Sequence, residues 1–528
     1  MKTNRKLIPI FSVLLASAML TTGCGGDMMQ TMNDNINGII ANDAAEECSS
    51  EAEYYAEDEE QPEFNTEEYN AITENSFKST VSDPLSTFSI DVDTASYSNV
   101  RRMIQAHQDV PAGAVRIEEM LNYFHYDYPQ PNADEPFSVT TQLADCPWNA
   151  DTKLMRVGLH AKDIDLSQRK PMNLVFLIDV SGSMYEVDKL PLVQKSFSIL
   201  TETLDQKDRI SIVTYADGDA VVLEGANGGM KDDILDAINS LHAGGSTAGA
   251  AGINTAYEIA ERNFIEGGNN RIILATDGDL NVGVSSEDEL KRLVEEKREG
   301  GVLLSVLGFG TGNIKDNKME TLADNGNGSY AYIDSVNEAK KVLVEEMGGT
   351  FITVAKDVKI QVEFNPAYIK GYRLIGYENR ALSAEDFADD TKDAGEIGAG
   401  HTVTALYEIA DNASTMTFDS ADLKYSDEAA QGSENGEYLT VSVRYKKPDE
   451  NESNLLAYPV TEDAYAAEMS NDMRFAAAVA EFGMLLRDSS YKGNATKQTV
   501  LDLLSGCDLQ DDVYKTEFVD LVKESRIS

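Results

Sequence analysis

The unbroken apolar run Leu174-Val-Phe-Leu-Ile178 constrains the fold more than any other stretch of the chain. An apolar run of strand length with no polar alternation makes a strand buried on both faces, which requires helices above and below its sheet. The sequence around it supplies them. Strand-length segments at Leu174 to Ile178, Arg209 to Thr214, Arg271 to Ala275, Leu303 to Leu307 and Tyr330 to Ile333 alternate with helical stretches. The helical stretches are Leu190 to Leu204, Lys231 to Leu241, Ala250 to Arg262, Glu287 to Glu299, Asn317 to Ala323 and Asn337 to Glu346. Ala220 to Leu223 follows its neighbour after one short loop and is expected to be an antiparallel edge strand. Residues 170–349 therefore read as one α/β domain with a doubly wound, mostly parallel sheet.

On either side the hydrophobic period changes to two. Phe137 to Leu143 and Leu154 to His160 alternate before the domain, and Val358 to Phe364, Val403 to Ile409 and Leu439 to Tyr445 alternate after it. These segments predict a β-sandwich assembled from both flanks, residues 133–169 and 350–462, with the α/β domain inserted within it. Residues 81–132 read as a small helical module, with Val100, Met103, Ile104 and His107 on one helix face and Ile117, Leu121 and Phe124 on the next. The segment Asp91-Val-Asp-Thr-Ala-Ser96 suggests N-capping of the first of these helices. Residues 463–528 are helical again, with Phe475, Val479, Phe482 and Leu486 at helical spacing.

Charge narrows the possible functions. With 44 basic against 91 acidic residues the net charge is -47, which repels nucleic acid and anionic lipid headgroups. Part of it lies in residues 25–80, whose low hydrophobicity and runs such as Glu57-Asp-Glu-Glu60 predict a disordered, self-repelling linker. Residues 1–24 carry Lys2, Arg5 and Lys6, then the apolar run Leu7 to Leu20, then Thr21-Thr-Gly-Cys24. That run is short for a membrane span, and its charged start and small-residue end read as an export signal. The Thr-Thr-Gly-Cys ending resembles a bacterial lipobox. The resemblance implies a lipidated Cys24, anchoring an exported protein to a membrane of the cell envelope. Cys48, Cys146 and Cys507 show no metal-type spacing, and a Cys146 to Cys507 disulfide is the one pairing left open outside the acidic stretch.

The central run ends in Asp179-Val-Ser181-Gly-Ser183, at the strand end where open α/β sheets place ligands. Two more loops belong to the same sheet edge. His242-Ala-Gly-Gly-Ser246-Thr247 offers hydroxyls after a flexible turn, and Ala275-Thr-Asp277-Gly closes the strand beginning at Arg271. Carboxylates and hydroxyls converging from three loops are the donors a hard, oxygen-seeking divalent cation takes. Taken alone, Ser183 has the simpler explanation of a helix N-cap. Together the motifs resemble the metal-ion-dependent adhesion site of von Willebrand factor type A (vWA) domains, in order and over about the whole of residues 170–349. The resemblance implies that Asp179 and Asp277 are carboxylate ligands, partly through water. Ser181, Ser183 and Thr247 would supply hydroxyls to Mg²⁺, or to Mn²⁺ or Ca²⁺, and an acidic side chain of a protein partner would complete the coordination. The flanking modules further resemble bacterial envelope proteins that carry such a domain between an N-terminal helical module and a C-terminal extension.

Enzymatic alternatives find less support. Gly244-Gly-Ser246-Thr-Ala248 lacks the closing glycine of a nucleophile elbow and follows a helix rather than a strand. The five histidines form no ligand pair, His242 reads as a surface residue, and no phosphate-binding loop of the Gly-x4-Gly-Lys-Ser/Thr type occurs. Asp324-Asn-Gly-Asn-Gly328 reads as a helix stop and turn rather than a calcium loop. The expected function is therefore metal-dependent protein binding without catalysis. The alternative is an envelope scaffold whose metal site is structural or vestigial.

Overall fold

A computed structural model of the chain describes residues 66–528 apart from 133–134, 166, 168, 247–248, 279–286, 419–431, 449 and 528. Cys24, the export segment and most of the acidic stretch lie outside the described residues, and so does Thr247.

Met172–Asp179 is the pivot of the α/β domain, and every one of its residues is buried. The six-stranded sheet runs in the order Tyr330–Ile333, Val302–Phe309, Asn269–Thr276, Met172–Asp179, Arg209–Tyr215, Asp219–Asn227. The first five strands are mutually parallel and the last is antiparallel. Alternation divides the central strand between two layers. Leu174, Phe176 and Ile178 pack with Val193, Phe197 and Leu200 of the Leu190–Thr203 helix, where Phe176 stacks on Phe197 at 4.2 Å. Val175 and Leu177 face the other way, onto Ile253, Tyr257 and Ile259 of the Gly249–Arg262 helix. Burying each such side chain is worth roughly 1.5–3 kcal/mol, so both faces of this strand must be covered for the domain to fold.

The domain is an insertion in a β-sandwich. Lys153–Ala161, which precedes it, pairs antiparallel with Thr402–Asp411, which follows it, from His160 opposite Thr402 to Lys153 opposite Ile409. One sandwich sheet has the order Lys78–Ser79, Ile369–Ile375, Thr402–Asp411, Lys153–Ala161, Phe137–Asp145. The other has the order Ala381–Leu382, Leu85–Ser89, Thr353–Phe364, Glu437–Lys446, Ser453–Thr461. Their inner faces meet in an aromatic core in which Phe364 stacks on Tyr372 at 4.0 Å and Phe88 lies 4.8 Å from Tyr377. The helices of the two chain ends share a single core. Tyr97, Tyr123 and Phe124 from the N-terminal side pack with Phe475, Phe482 and Phe518 from the C-terminal side, Phe124 lying 4.9 Å from Phe475.

Two expectations are corrected. Order begins before residue 80: the Thr66 and Glu68 amides donate to the carbonyls of Gly312 and Ile314 at 2.7 and 2.9 Å, and Lys78–Ser79 pairs with the edge of the sandwich. An edge strand with free backbone groups outweighs the polar composition of this segment. Asp91 and Asp93 do not cap the following helix, whose N-cap is Thr94 with no side-chain cap bond. They accept instead from Arg380 at 3.0 and 3.2 Å, and Asp93 also accepts the Tyr330 amide at 2.7 Å. Cys146 and Cys507 are both free thiols. Among the described residues no helix is long and apolar enough to cross a membrane.

Guanidinium groups tie the modules together. Arg101 reaches Asp334 at 2.6 Å and Glu338 at 2.7 Å, Arg116 reaches Asp316 at 2.7 Å, and Arg380 reaches Asp324 at 2.8 Å. Glu118, in the helix Ile117–Asn122 beside them, is buried with its Oε2 atom lacking a hydrogen-bond partner. Burial, with the charges of Glu378 and Asp91, pushes its carboxyl up to about 7. Between its ordinary value of 4.5 and that value the native chain holds a proton the unfolded chain has lost, so this contribution to stability falls as pH rises through the window. Glu118→Gln, which cannot titrate, is expected to flatten the decline of the thermal midpoint between about pH 5 and pH 8. An unchanged slope in the variant would contradict this assignment.

Candidate functional site

Parallel pairing creates the site. Met172–Asp179 and Asn269–Thr276 run side by side with Ile178 opposite Ala275, so Asp179 and the Thr276-Asp277 pair leave the sheet at the same edge. Asp179 is wholly buried, and both its oxygens accept hydrogen bonds: Oδ1 from the Ser181 amide at 2.9 Å, Oδ2 from the Thr276 hydroxyl at 3.2 Å. Burial pushes its carboxyl up to about 6, with the Asp277 charge adding to the rise and the Ser181 hydrogen bonds opposing it.

The next two donors follow from the turn. Ser181 is buried and Ser183 is exposed in the short 3₁₀ turn Gly182–Tyr185, and their hydroxyls lie 3.0 Å apart. Ser183 is no helix cap, because the next helix starts only at Leu190. The glycine loop is fastened to this turn by backbone. The Gly244 amide donates to the Val180 carbonyl at 2.8 Å, and the Gly182 amide donates to the Gly245 carbonyl at 2.9 Å. Gly245 has φ +83°, and a Cβ there would stand 2.7 Å from Asp217 Oδ2. Only glycine fits that position without strain. Asp217 in turn accepts from both the Ser246 amide and the Ser246 hydroxyl at 2.6 Å. The Ser246 hydroxyl is thus committed to Asp217, while Thr247, next in the loop, lies outside the described residues.

Asp277 is held from the opposite side. Its Oδ2 accepts from the Lys189 ammonium at 3.0 Å, and the same ammonium reaches Asn313 Oδ1 at 3.2 Å. Burial works to raise the Asp277 carboxyl, but hydrogen bonds from Asn313 and Ser183 and the Lys189 charge outweigh it and leave it below the usual carboxylate range. Gly278, with φ +96°, lets the chain pass the backbone at Lys315, where a Cβ would stand 2.6 Å from the amide nitrogen.

The structure therefore brings Asp179, Ser181, Ser183 and Asp277 to one edge, and places Ser246 in the adjoining loop. Two carboxylates and neighbouring hydroxyls, all oxygen donors, fit a hard divalent cation. They do not fit zinc or a redox metal, which prefer nitrogen and sulfur. Among the described residues there is no group of three or more His, Cys, Asp or Glu side chains that could hold a metal, so this hydroxyl-rich edge is a different kind of site. Lys189, Asn313, Asp217 and Thr276 escaped the sequence reading. Thr276 lies inside the Thr-Asp-Gly segment and was within reach of it, whereas Lys189 and Asn313 follow no spacing rule and meet Asp277 only in three dimensions.

Comparison with known proteins follows the same division of the chain. Residues 173–345 match the family model for the von Willebrand factor type A domain, residues 63–156 a model described as von Willebrand factor, and residues 349–527 a model described as uncharacterized protein YfbK, C-terminal. Uncharacterized protein YfbK of Escherichia coli (strain K12) is 42% identical over 466 residues, which cover 87% of this chain and 81% of that protein. The chain belongs to the YfbK family. Similarity beyond the family is more local. Inter-alpha-trypsin inhibitor heavy chain H3 of Mesocricetus auratus is 27% identical over 207 residues, covering 37% of this chain and 22% of that one. Among solved structures, a von Willebrand factor type A protein from Catenulispora acidiphila aligns with 74% of this chain and 90% of its own, at 17% identity and a TM-score of 0.43.

The Asp217 contact generates a test of the loop. Asp217→Ala is expected to release Ser246 and speed hydrogen exchange at the Gly182 and Gly244 amides by about tenfold or more, with little change in the global melting temperature. Unchanged protection at both amides would show that the backbone pairing alone holds the loop.

Proposed function

We propose that this chain is a lipoprotein of the bacterial cell envelope whose vWA domain binds a protein partner through a divalent cation, Mg²⁺ or else Mn²⁺ or Ca²⁺. The observation that carries the reading is the convergence of Asp179, Ser181, Ser183 and Asp277 at one sheet edge, with Ser181 and Ser183 hydroxyls 3.0 Å apart. Thr247 would add a third hydroxyl. A bound cation supplies a Lewis-acidic position that takes up a carboxylate from outside. The hydroxyl donors are neutral and the Lys189 ammonium already offsets part of the Asp277 charge, so such a cation would keep an electrophilic position that an acidic side chain of the partner takes. Cys24 would carry the lipid, and the acidic residues after it would hold the folded part away from the membrane.

Binding rather than catalysis accounts for the chemistry of this edge. The Ser246 hydroxyl donates to a carboxylate, Asp217, and both oxygens of Asp179 are engaged by donors from its own chain. A second reading, an envelope scaffold with a structural or vestigial metal site, is favoured by one contact, the Lys189 ammonium already lying on Asp277.

Three outcomes are expected. Isothermal titration of the intact chain with Mg²⁺ should detect a site that Asp179→Ala abolishes; equal uptake by both chains would sink the metal reading. Partners captured by cross-linking in the envelope should be lost on chelation with EDTA, whereas retention would favour the scaffold. Cys24→Ser should move the exported chain from the membrane fraction to the soluble fraction, and continued membrane association would remove the lipid anchor from the proposal.

A further inference from the structure

Lys189 brings an ammonium group into the edge where the cation is proposed to sit. The residue is buried, at 6% exposure, and occupies the N-cap position of the Leu190–Thr203 helix. Its aliphatic stem runs over Gly310, which has φ +76° and where any Cβ would collide with that stem. Glycine at 310 therefore serves as the channel by which the ammonium reaches Asp277 Oδ2 at 3.0 Å and Asn313 Oδ1 at 3.2 Å. A lysine so enclosed has few other places to put its charge. Asp179 and Asp277 leave the sheet at the same edge, and the ammonium sets a positive charge beside them without any metal.

We propose that Lys189 is a built-in competitor of the cation, a positioning residue that holds Asp277 when the site is metal-free and keeps metal affinity low when the cation enters. The inference rests on the metal reading of this edge and concerns its regulation. The sign follows from charge. An ammonium on one of the two carboxylate ligands repels an incoming divalent cation and also supplies part of the compensation that the cation would otherwise provide. A site weakened in this way fills appreciably only when a further carboxylate arrives, so metal and an acidic partner bind cooperatively, each raising the affinity of the other. The contact that favours a vestigial site under the second reading is, under this one, the device that makes occupancy depend on the partner.

The test uses Mn²⁺ alone, titrated into the intact chain and followed by electron paramagnetic resonance of the free ion. Lys189→Met and Lys189→Gln are expected to bind Mn²⁺ about tenfold more tightly than the unaltered chain. Equal or weaker binding by both variants, with Asp179→Ala unable to bind, would overturn the role of Lys189 and leave the metal site standing. Undiminished binding by Asp179→Ala would instead remove the metal site itself. Thermal midpoints with and without Mn²⁺ give a second readout. Without Lys189 the two carboxylates keep their hydrogen bonds but lose the ammonium beside them, so the variants should gain more from Mn²⁺ than the unaltered chain does. An equal gain counts against the proposal.

Discussion

Parallel pairing of Met172–Asp179 with Asn269–Thr276 is the constraint on which the rest of the site depends. It delivers two carboxylates, distant in sequence, to one buried sheet edge, where their charges oppose each other and burial opposes both. Everything else at that edge answers this difficulty. The Ser181 amide and the Thr276 hydroxyl donate to Asp179, while Lys189, Asn313 and Ser183 stabilise Asp277. An edge arranged in this way gathers carboxylate and hydroxyl oxygens that their own hydrogen bonds hold in place, the donor set in which the cation is proposed to sit.

The surroundings explain how such an edge stays in register. Inserting the α/β domain between Lys153–Ala161 and Thr353–Phe364 suspends both of its ends from a sandwich whose strands already pair across the insertion. Arg101, Arg116 and Arg380 then bind the domain to the helical core and the sandwich through Asp334, Glu338, Asp316 and Asp324. Pairs buried as deeply as Arg101 with Glu338 and Arg116 with Asp316 add little net stability, because desolvation offsets their attraction, but breaking one by removing a single partner typically costs about 3–5 kcal/mol. Their effect is to make one relative arrangement of the modules far better than others. Thr66 to Glu68, running along Gly312 and Ile314, adds backbone bonds next to Asn313. The chain's own N-terminal segment thus braces the loop that helps hold Asp277.

The fold was legible to the extent that period and burial coincide. The run Leu174 to Ile178 demanded helices on both faces, and the alternation of Leu439 to Tyr445 demanded one packed face, so the doubly wound sheet and the sandwich could both be read from residue order. Legibility stopped at contacts between modules. Asp91 and Asp93 looked like caps because local sequence offers an amide nearby, yet Arg380, remote in the chain, offers a full charge and wins. Composition also misled at Thr66 to Ser79, where an open strand edge orders residues that a linker would leave free.

By itself the sequence determined the central strand, the helices that cover it, and the placing of Asp179, Ser181, Ser183 and Asp277 at strand ends, because apolar period and strand-end position are local properties of residue order. Tertiary structure alone decided which groups those donors face. The fastening of the glycine loop by Gly182 and Gly244, the engagement of Ser246 by Asp217, and the passage of Lys189 over Gly310 to Asp277 all join segments with no sequence relation. Such pairings exist only once backbone packing has set distances of a few ångströms, and at those distances a single ammonium sets the charge that an edge of carboxylates presents.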